Sequence, residues 1–312
     1  MKKKVLVNTT DLSLGGGVSQ YLKNLNLEEF DHIEYFNIQS SEINLLKRIF
    51  KLISIYITFY KKIKQVTIVN LNPSLNAKSF FRDMVFIMIS RFRKKKVIIT
   101  MHGWEDEFEE KIKNSKILMF IFSKTYAKVP YYIVLGYHFK NKLLKLNVDP
   151  NTIFFIETTV INNVDNNWTI QKRQLKSPIN FLFMSRIEKE KGVYIAIDTV
   201  HELSKKYNCK LLIAGTGSEL ENVKDYTESK NINSVEFLGF KSGEEKEKVF
   251  KKSDIFLFPT YYGEGLPTVI LEAMLYGLPV LSRINAAIPE IIKNDINGFL
   301  TDSLSSVDFV LL

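Results

Sequence analysis

Short runs of apolar residues alternate along the whole chain with longer stretches in which apolar positions recur every three or four residues. The runs are rich in β-branched and aromatic residues and end at polar turns, which is typical of buried strands. They fall at residues 5–9, 33–38, 66–71, 96–101, 131–135 and 152–157, and again at 180–185, 210–214, 235–238, 255–258 and 279–282. Because these runs are apolar on both faces and helical segments separate them, we expect parallel sheets covered by helices on both sides.

The polar stretch 165–178 separates these strands into two sets. The predicted fold class is therefore α/β, with two doubly wound, Rossmann-like domains at residues 1–168 and 169–312. In sheets of this kind ligands bind beyond the carboxyl ends of the strands. We expect the two domains to face each other across a cleft, and the residues that follow each strand to form the site.

Composition places the chain among soluble globular proteins. It has 312 residues, of which 46% are hydrophobic and 25% are charged, and it contains one cysteine, Cys209. A single cysteine excludes a disulfide framework and suits a reducing compartment. The apolar run near the N-terminus is too short for a signal peptide, and the apolar segment 52–60 is too short to span a bilayer. We predict a cytoplasmic protein.

Charge is distributed unevenly along the sequence. Residues 1–170 contain 25 Lys/Arg and 15 Asp/Glu, a net charge of +10, whereas residues 171–312 contain 18 and 19, a net charge of −1. The first half therefore suits an anionic partner. The sequence contains no zinc-ligand spacing, RNA-binding aromatic motif or helix-turn-helix signature, so we predict no nucleic-acid partner.

Two apolar segments in this basic half carry regularly spaced polar residues. In 43–65 the polar positions recur every three or four residues, and 78–96 ends in the basic residues Arg91, Arg93, Lys94, Lys95 and Lys96. One interpretation is a pair of core helices with solvated charges. The other is contact with anionic lipid, which would place the protein peripherally at the inner face of the cell membrane.

Residues with useful chemistry follow several predicted strands. After 5–9 come the glycines 15–17, which either let a ligand approach the backbone closely or form a flexible turn. His102 follows 96–101, where it can hydrogen-bond a substrate hydroxyl or simply pack. Gly215 and Gly217 follow 210–214, and a Gly-x-Gly alone is a weak signal.

Two cations follow the strand at 180–185. Arg186 and Lys191 precede a helix that is predicted to begin near Gly192. An arginine fork and a lysine point charge at this place can hold two phosphates. The alternative interpretation is an exposed loop of alternating charge.

A helix is predicted after the Gly-Leu-Pro turn in the stretch 263–279. Pro267 suits a first helical turn and Gly277 suits the position just past the last, so the helix should extend from about Pro267 to Tyr276. The amides of Thr268 and Val269 then lie in its first turn. Free amides and the helix dipole at that end favour an anion such as phosphate.

Two carboxylates flank this helix start, eight positions apart: Glu264 in the loop and Glu272 on the helix. A carboxylate near a phosphate is unfavourable unless it accepts hydrogen bonds from hydroxyls. The arrangement therefore suits a ligand with a central diphosphate and hydroxyls on both sides, such as a nucleotide sugar. Two carboxylates can also serve glycoside hydrolysis, or reflect a helix N-terminal preference and one buried pair.

Residues 253–300, SDIFLFPTYYGEGLPTVILEAMLYGLPVLSRINAAIPEIIKNDINGFL, resemble the signature region of the family 4, group 1 type glycosyltransferases, which have the GT-B fold. The family pattern is E-G-[FL]-P-x4-E-A-M-x2-G-x-P, and it contains E-x7-E. The residues that meet it are Glu264, Gly265, Leu266, Pro267, Glu272, Ala273, Met274, Gly277 and Pro279. SRIEKEKG at 185–192 and AGTGSEL at 214–220 resemble further motifs of the family.

The resemblance implies a role for each matching residue. Glu264 is expected to contact hydroxyls of the donor sugar and Glu272 to hold the ribose diol. Arg186 and Lys191 are expected to neutralise the leaving diphosphate. The other residues implied at the site are the backbone of Gly265, Leu266, Thr268 and Val269, the phosphate-side Gly215, and His102 with Gly16 or Gly17 from the first domain.

The resemblance also implies the reaction. A sugar would move, with retained anomeric configuration, from a UDP- or GDP-sugar donor to a saccharide or lipid-linked acceptor in bacterial surface polysaccharide synthesis. The N-terminal domain would be the acceptor side, and the C-terminal domain would bind the nucleotide sugar. No cofactor or metal is expected, and the sequence contains no Asp-x-Asp.

Two features depart from the family pattern. Ala286–Ala287 replace a glycine pair. The family also continues with helices beyond the strand at NGFL, so the C-terminal domain, ending at Leu312, is expected to be truncated. Two alternatives therefore stand beside the glycosyltransferase: a glycoside hydrolase that uses Glu264 and Glu272, and a truncated non-catalytic paralogue that binds a nucleotide sugar, a membrane or a partner.

Overall fold

The computed structural model describes residues 4–9, 11–12, 17–38, 45–157, 177–263 and 265–312. The chain divides into two compact units. Unit 1 comprises Met1–Asn162 and Gly263–Leu266, and unit 2 comprises Asn163–Tyr262 and Pro267–Leu312. The predicted boundary at residue 168 lies outside the described residues and stays a prediction.

Unit 1 contains a six-stranded parallel sheet with the strand order β2-β1-β3-β5-β7-β8, and β4 pairs separately with β6. The strands are β1 (Val5–Thr9), β2 (Ile33–Asn37), β3 (Ile68–Leu71), β4 (Ser74–Leu75), β5 (Lys96–Met101), β6 (Gly103–Trp104), β7 (Tyr131–Val134) and β8 (Ile153–Ile156).

The described helices of unit 1 are α1 (Gly17–Asn24), α2 (Leu45–Lys62), α3 (Ala77–Phe92), α4 (Asp106–Asn114), α5 (Lys116–Lys124) and α6 (Tyr137–Lys145). Asn76 caps α3, since its side chain accepts a hydrogen bond from the Ser79 amide at 2.9 Å. The α2 helix packs on α3, where the rings of Phe59 and Phe86 lie 4.7 Å apart. Among the described residues, no helix has the length and hydropathy to cross a membrane.

Unit 2 contains a second six-stranded parallel sheet with the order β11-β10-β9-β12-β13-β14. Its strands are β9 (Ile179–Met184), β10 (Cys209–Ala214), β11 (Val235–Gly239), β12 (Ile255–Phe258), β13 (Val280–Arg283) and β14 (Gly298–Thr301). Its helices are α7 (Val193–Ser204), α8 (Leu220–Ser229), α9 (Gly243–Lys252), α10 (Thr268–Leu275), α11 (Ile288–Ile291) and α12 (Ser306–Leu311). Leu182, Leu211 and Phe256 of the central strands are fully buried, and Ile197 of α7 belongs to the same core.

The predicted parallel α/β architecture is confirmed. Each strand predicted from the apolar pattern is present, with ends that differ by at most two residues. The pattern did not predict the two-residue strands β4 and β6, nor β14, which only the resemblance at NGFL implied. The order of strands reverses between β1 and β3 in unit 1 and between β9 and β12 in unit 2. Ligands of doubly wound sheets bind at such reversals, beyond the carboxyl ends of the strands.

Ala286 occupies the first position of the alanine pair that departs from the family pattern, and its φ is +49°. This left-handed conformation costs a residue with a Cβ about 1–2 kcal/mol, and glycine adopts it without that cost. The chain therefore keeps a glycine-like backbone at Ala286 without a glycine.

We expect Ala286→Gly to raise the free energy of unfolding by about 0.5–1 kcal/mol, because the strain relieved exceeds the added chain entropy of glycine. Ala287 is buried and has a φ of −88°, so Ala287→Gly is the matched control and should lower the free energy of unfolding. Urea denaturation of the full chain measures both changes. A loss of stability in Ala286→Gly would contradict the argument from backbone strain.

Candidate functional site

Two cations of unit 2 converge on one aromatic ring. Arg186 and Lys191 lie between β9 and α7, and Tyr262 follows β12. The Lys191 Nζ is 4.1 Å from the centroid of the Tyr262 ring, and the Arg186 Cζ is 5.6 Å from it. Lys191 is only 6% exposed, whereas Arg186 is exposed and pairs with the Glu188 carboxylate at 2.8 Å. The structure therefore places the two predicted cations together at the strand reversal of unit 2.

Close backbone contacts fix the loop that carries these cations. Gly192 has a φ of +83°, and a Cβ at this position would lie 2.2 Å from the Pro259 carbonyl oxygen. The Tyr261 amide donates a hydrogen bond to the Glu190 carbonyl at 2.9 Å. The loop after β9 is thus held against the loop after β12, and only glycine fits at position 192.

Gly215 and Gly217 pack against the same loop. A Cβ on Gly215 would lie 1.8 Å from the Ser185 carbonyl oxygen, and a Cβ on Gly217 would lie 2.3 Å from that of Ile187. The Ile187 amide donates to the Thr216 carbonyl at 2.9 Å. Backbone packing therefore explains why these positions are glycines, and the role of Gly215 toward phosphate stays a prediction.

The predicted helix after the Gly-Leu-Pro turn is present as α10, with Pro267 as its N-cap and Tyr276 as its C-cap. Its first turn contains Thr268 and Val269, as predicted. The first amides of a helix have no acceptor within the helix, and the dipole adds a partial positive charge at that end. This helix start follows β12 in the chain and offers donors suited to an anion.

Glu272 of α10 has one paired and one unpaired carboxylate oxygen. Its Oε1 lies 2.6 Å from the Lys246 Nζ of α9. Its Oε2 is buried and has no hydrogen-bond partner in the part of the chain that the structure describes. A buried acceptor without a donor is unfavourable, so this oxygen is available to accept a hydrogen bond from a ligand. The sequence did not predict Lys246, which lies in a run of alternating charges with no distinguishing pattern.

The remaining predicted residues fall in different places. Glu264 and Gly16 lie outside the described residues. Gly17 begins α1 and has open space where a Cβ would be. Gly265 and Leu266 belong to the segment that is grouped with unit 1, and a Cβ on Gly265 would lie 2.5 Å from the His102 carbonyl oxygen.

His102 lies just after β5, as predicted, and its Nε2 is 2.8 Å from the Asn72 Oδ1. The orientation of the Asn72 amide is fixed, because its Nδ2 lies 2.9 Å from the backbone carbonyl of Asn8, which can only accept. The Asn72 Oδ1 therefore faces the imidazole, and His102 carries its proton on Nε2. Among the described residues no group hydrogen-bonds to Nδ1, which remains an acceptor.

Asn8 and Asn72 join the two strands at which the order of the unit 1 sheet reverses. The backbone amide of Asn72 donates a hydrogen bond to the Asn8 Oδ1 at 2.6 Å. The Asn8 Nδ2 is buried and has no partner among the described residues. The ring of Tyr21 meets the His102 ring edge-on at 4.9 Å. These partners were not predicted, because isolated asparagines near strand ends give no sequence signal.

Burial keeps His102 neutral. Desolvation lowers its pKa from 6.5 to about 3. As the pH falls from about 6.5 to about 3, the unfolded chain takes up a proton that the folded chain does not. The residue therefore favours folding above this range, and that contribution is lost progressively as the pH falls through it.

Metal-ligating side chains are dispersed in the described residues, where no three of His, Cys, Asp or Glu come together to hold an ion. The groups that gather at the site of unit 2 are cations and an aromatic ring, which suit an anionic ligand. Independence from metal stays a prediction.

The comparison with family models matches residues 166–310 to glycosyl transferases group 1. An uncharacterized glycosyltransferase of Methanocaldococcus jannaschii is 34% identical over 118 residues, which are 38% of this chain and 30% of the relative. The amylovoran biosynthesis glycosyltransferase AmsK of Erwinia amylovora is 32% identical over 133 residues, which are 40% of this chain and 33% of the relative. The chain thus covers about a third of the length of each of these two relatives.

Similarity to a solved structure extends over nearly the whole chain. The crystal structure of Anabaena HepE in complex with UDP-glucose has a TM-score of 0.71 at 16% identity, and the match covers 99% of this chain and 88% of that chain. At this identity the likeness shows the fold, which is the GT-B type with two doubly wound units.

We expect 15N NMR of histidine-labelled protein to show the His102 imidazole with its proton on Nε2 and no titration between pH about 7 and about 5. The His102→Gln variant assigns the resonance by its absence. In Asn72→Leu the acceptor for Nε2–H is gone, so the tautomer with the proton on Nδ1 should become populated. A proton on Nδ1 in the unaltered protein would show that Asn72 does not set the tautomer.

Proposed function

We propose that this protein is a retaining glycosyltransferase, because residues 166–310 match the family model of glycosyl transferases group 1. It moves a sugar from a nucleoside-diphosphate donor to a saccharide or lipid-linked acceptor. The observation that carries the proposal is the buried Oε2 of Glu272, on the helix that follows β12, which has no hydrogen-bond partner among the described residues. The two cations follow β9 and the ring of Tyr262 follows β12, and these are the two strands of the reversal.

The donor diphosphate would be held by Arg186, Lys191 and the first amides of α10. A nearly buried lysine exerts a less screened field than a solvated one, and guanidinium and ammonium groups bind phosphate through charge-assisted hydrogen bonds. As the bond from the anomeric carbon to the diphosphate breaks, negative charge builds on the leaving group. Fixed positive groups stabilise that charge, so the reaction requires neither a covalent nucleophile nor a metal.

The nucleoside ribose would be bound by Glu272. Its Oε2 accepts a hydrogen bond from a ribose hydroxyl, and the ion pair with Lys246 at 2.6 Å holds the carboxylate in place. UDP is the favoured nucleotide, because HepE, which has the same fold, has been crystallised with UDP-glucose. In unit 1, the Nδ1 of His102 would accept a hydrogen bond from a hydroxyl of a saccharide substrate.

The acceptor is proposed to belong to the assembly of a bacterial surface polysaccharide. Support comes from AmsK, a relative that is named for amylovoran biosynthesis.

A glycoside hydrolase that used Glu264 and Glu272 would leave the two cations at Tyr262 without a role. A non-catalytic protein that binds a nucleotide sugar would have the same donor site. A measurement of sugar transfer distinguishes it from the enzyme.

We expect Glu272→Ala to weaken binding of UDP and of UDP-sugar alike, by about 10–100-fold, because one hydrogen bond to a charged group is lost in both complexes. Glu264→Ala should leave UDP binding nearly unchanged and reduce sugar transfer. Isothermal titration calorimetry measures binding, and transfer is measured separately by release of UDP. Lys246→Ala frees the Glu272 carboxylate without removing it. Its affinity for UDP should therefore lie between those of the unaltered protein and Glu272→Ala.

Equal loss of UDP binding in Glu264→Ala and Glu272→Ala would show that the two roles are wrongly assigned. Binding of UDP without any transfer to saccharide acceptors would favour the non-catalytic alternative.

We expect Arg186→Ala and Lys191→Ala each to lower the rate of transfer on the order of 10²–10³-fold, because each removes a charge that stabilises the leaving diphosphate. Lys189→Ala is the matched control, since Lys189 lies exposed in the same short 3₁₀ turn as Lys191. Its rate should stay within about twofold of the unaltered protein. Addition of EDTA should change nothing, and a strict requirement for Mn²⁺ or Mg²⁺ would overturn the metal-free mechanism.

A further inference from the structure

The helix α2 has two apolar faces. One face packs into unit 1, where Ile55, Phe59 and Ile63, which begins the following turn, are buried. The Tyr56 hydroxyl on this side donates a hydrogen bond to the Arg82 carbonyl of α3 at 3.1 Å. This inner face is sufficient to attach the helix to its unit.

The second face of α2 carries five large apolar side chains that are exposed. They recur at the spacing of a single helix face, and their exposed fractions range from 47% at Ile49 to 71% at Phe50. The five residues, which we call the outer face, are Leu46, Ile49, Phe50, Ile53 and Ile57. A contiguous apolar surface of this kind on a soluble protein marks an interaction site.

Positive charge accompanies the outer face. Exposed Lys51 and Lys61, together with Ser54 and Thr58, form a polar stripe beside it. Residues 45–100 contain 13 Lys/Arg and one Asp/Glu, Asp83. That single carboxylate is fully buried and lies 2.6 Å from the Arg82 guanidinium, so this part of the chain presents no exposed acidic side chain.

We propose that the outer face of α2 is a docking surface for an anionic lipid bilayer. The helix would lie in the plane of the interface, with its apolar side chains at the boundary of the acyl chains and its lysines at the phosphate headgroups. Charge complementarity favours lipid over a second copy of the chain, because pairing two such surfaces would bring like charges together. This surface lies outside the donor site and does not depend on the proposed reaction.

Two segments were predicted to contact a membrane, and the structure distinguishes between them. The sequence drew attention to the basic run Lys94–Lys96 at the end of α3. Lys95 is committed to the fold, since its Nζ donates a hydrogen bond to the Val66 carbonyl at 2.7 Å. The α3 helix also exposes apolar side chains, at Phe81, Met88 and Phe92. The larger set, five exposed apolar side chains on one face, lies on α2, so the substitutions that test the proposal are placed there.

The test is co-sedimentation of the full chain with vesicles of phosphatidylcholine, with or without phosphatidylglycerol. Binding should require phosphatidylglycerol and should fall as the salt concentration rises. The double variant Phe50→Glu/Ile53→Glu should bind at least about tenfold more weakly, because it places charge within the apolar face. Phe240→Glu and Ile296→Glu are the matched controls, since both residues are exposed apolar side chains of unit 2.

A second pair of variants separates charge from apolar contact. Lys51→Glu/Lys61→Glu should reduce binding to anionic vesicles, whereas Lys206→Glu, at an exposed lysine of unit 2, should not. Unchanged UDP binding and an unchanged urea midpoint would show that the α2 variants are folded. The altered side chains are exposed, so neither property should move.

Three outcomes overturn the proposal: no binding to either vesicle, equal binding to both, or loss of binding in the unit 2 controls as well. Sedimentation velocity adds a fourth. If the unaltered protein is a dimer that Phe50→Glu/Ile53→Glu converts to a monomer, and neither form binds vesicles, the outer face is an interface between two copies of the chain.

Discussion

In each unit, the polar groups at the carboxyl ends of two neighbouring strands need hydrogen-bond partners, and the rest of the unit depends on this constraint. Where the winding of a parallel sheet reverses, the helices that follow the two central strands pack on opposite faces and leave the strand ends between them uncovered. This place lies between β9 and β12 in unit 2, and between β1 and β3 in unit 1. Polar groups there must find partners in loops or in a ligand. The Asn8–Asn72 pair and the cations at Tyr262 occupy these two places, each within its own unit.

The strand ends of unit 2 carry positive groups in fixed positions, which suit a negatively charged ligand. A lysine that is almost buried loses hydration, which is unfavourable, and the face of the Tyr262 ring offsets part of that loss. The loop around Lys191 is fixed by backbone contacts that tolerate only glycine, as at Gly192 against Pro259. A phosphate that binds there meets charges already in position. Little binding energy is then consumed in ordering the loop, and in the proposed reaction more of it remains to stabilise the leaving group.

Local pattern was enough to predict the elements, whereas the partners within the site depend on tertiary structure. Apolar runs determine the strands, and Pro267 with Gly277 determines the ends of α10, so these features could be predicted from short stretches of sequence. Tyr262 lies 71 positions from Lys191 and Lys246 lies 26 positions from Glu272 along the chain. Such pairs form only when the sheet brings separate loops and helices together. No periodicity in the sequence marks either partner, and the motif alone could name the carboxylate but not the lysine that orients it.

The outer face of α2 could be seen in the sequence only as an unusually wide apolar stripe, because periodicity does not tell which side of a helix packs inward. The structure resolves this: one side meets α3, and the other is exposed. An exposed apolar face contributes nothing to the stability of the free unit and favours association. If its partner is a bilayer, the surface acts on the reaction without touching the donor site. Enzyme and lipid-linked acceptor would share one surface, which raises the effective concentration of the acceptor while the donor still arrives from water. The transition-state stabilisation proposed for Arg186 and Lys191 would be unaffected, so membrane contact would govern how often the acceptor is met and leave the rate of the chemical step unchanged.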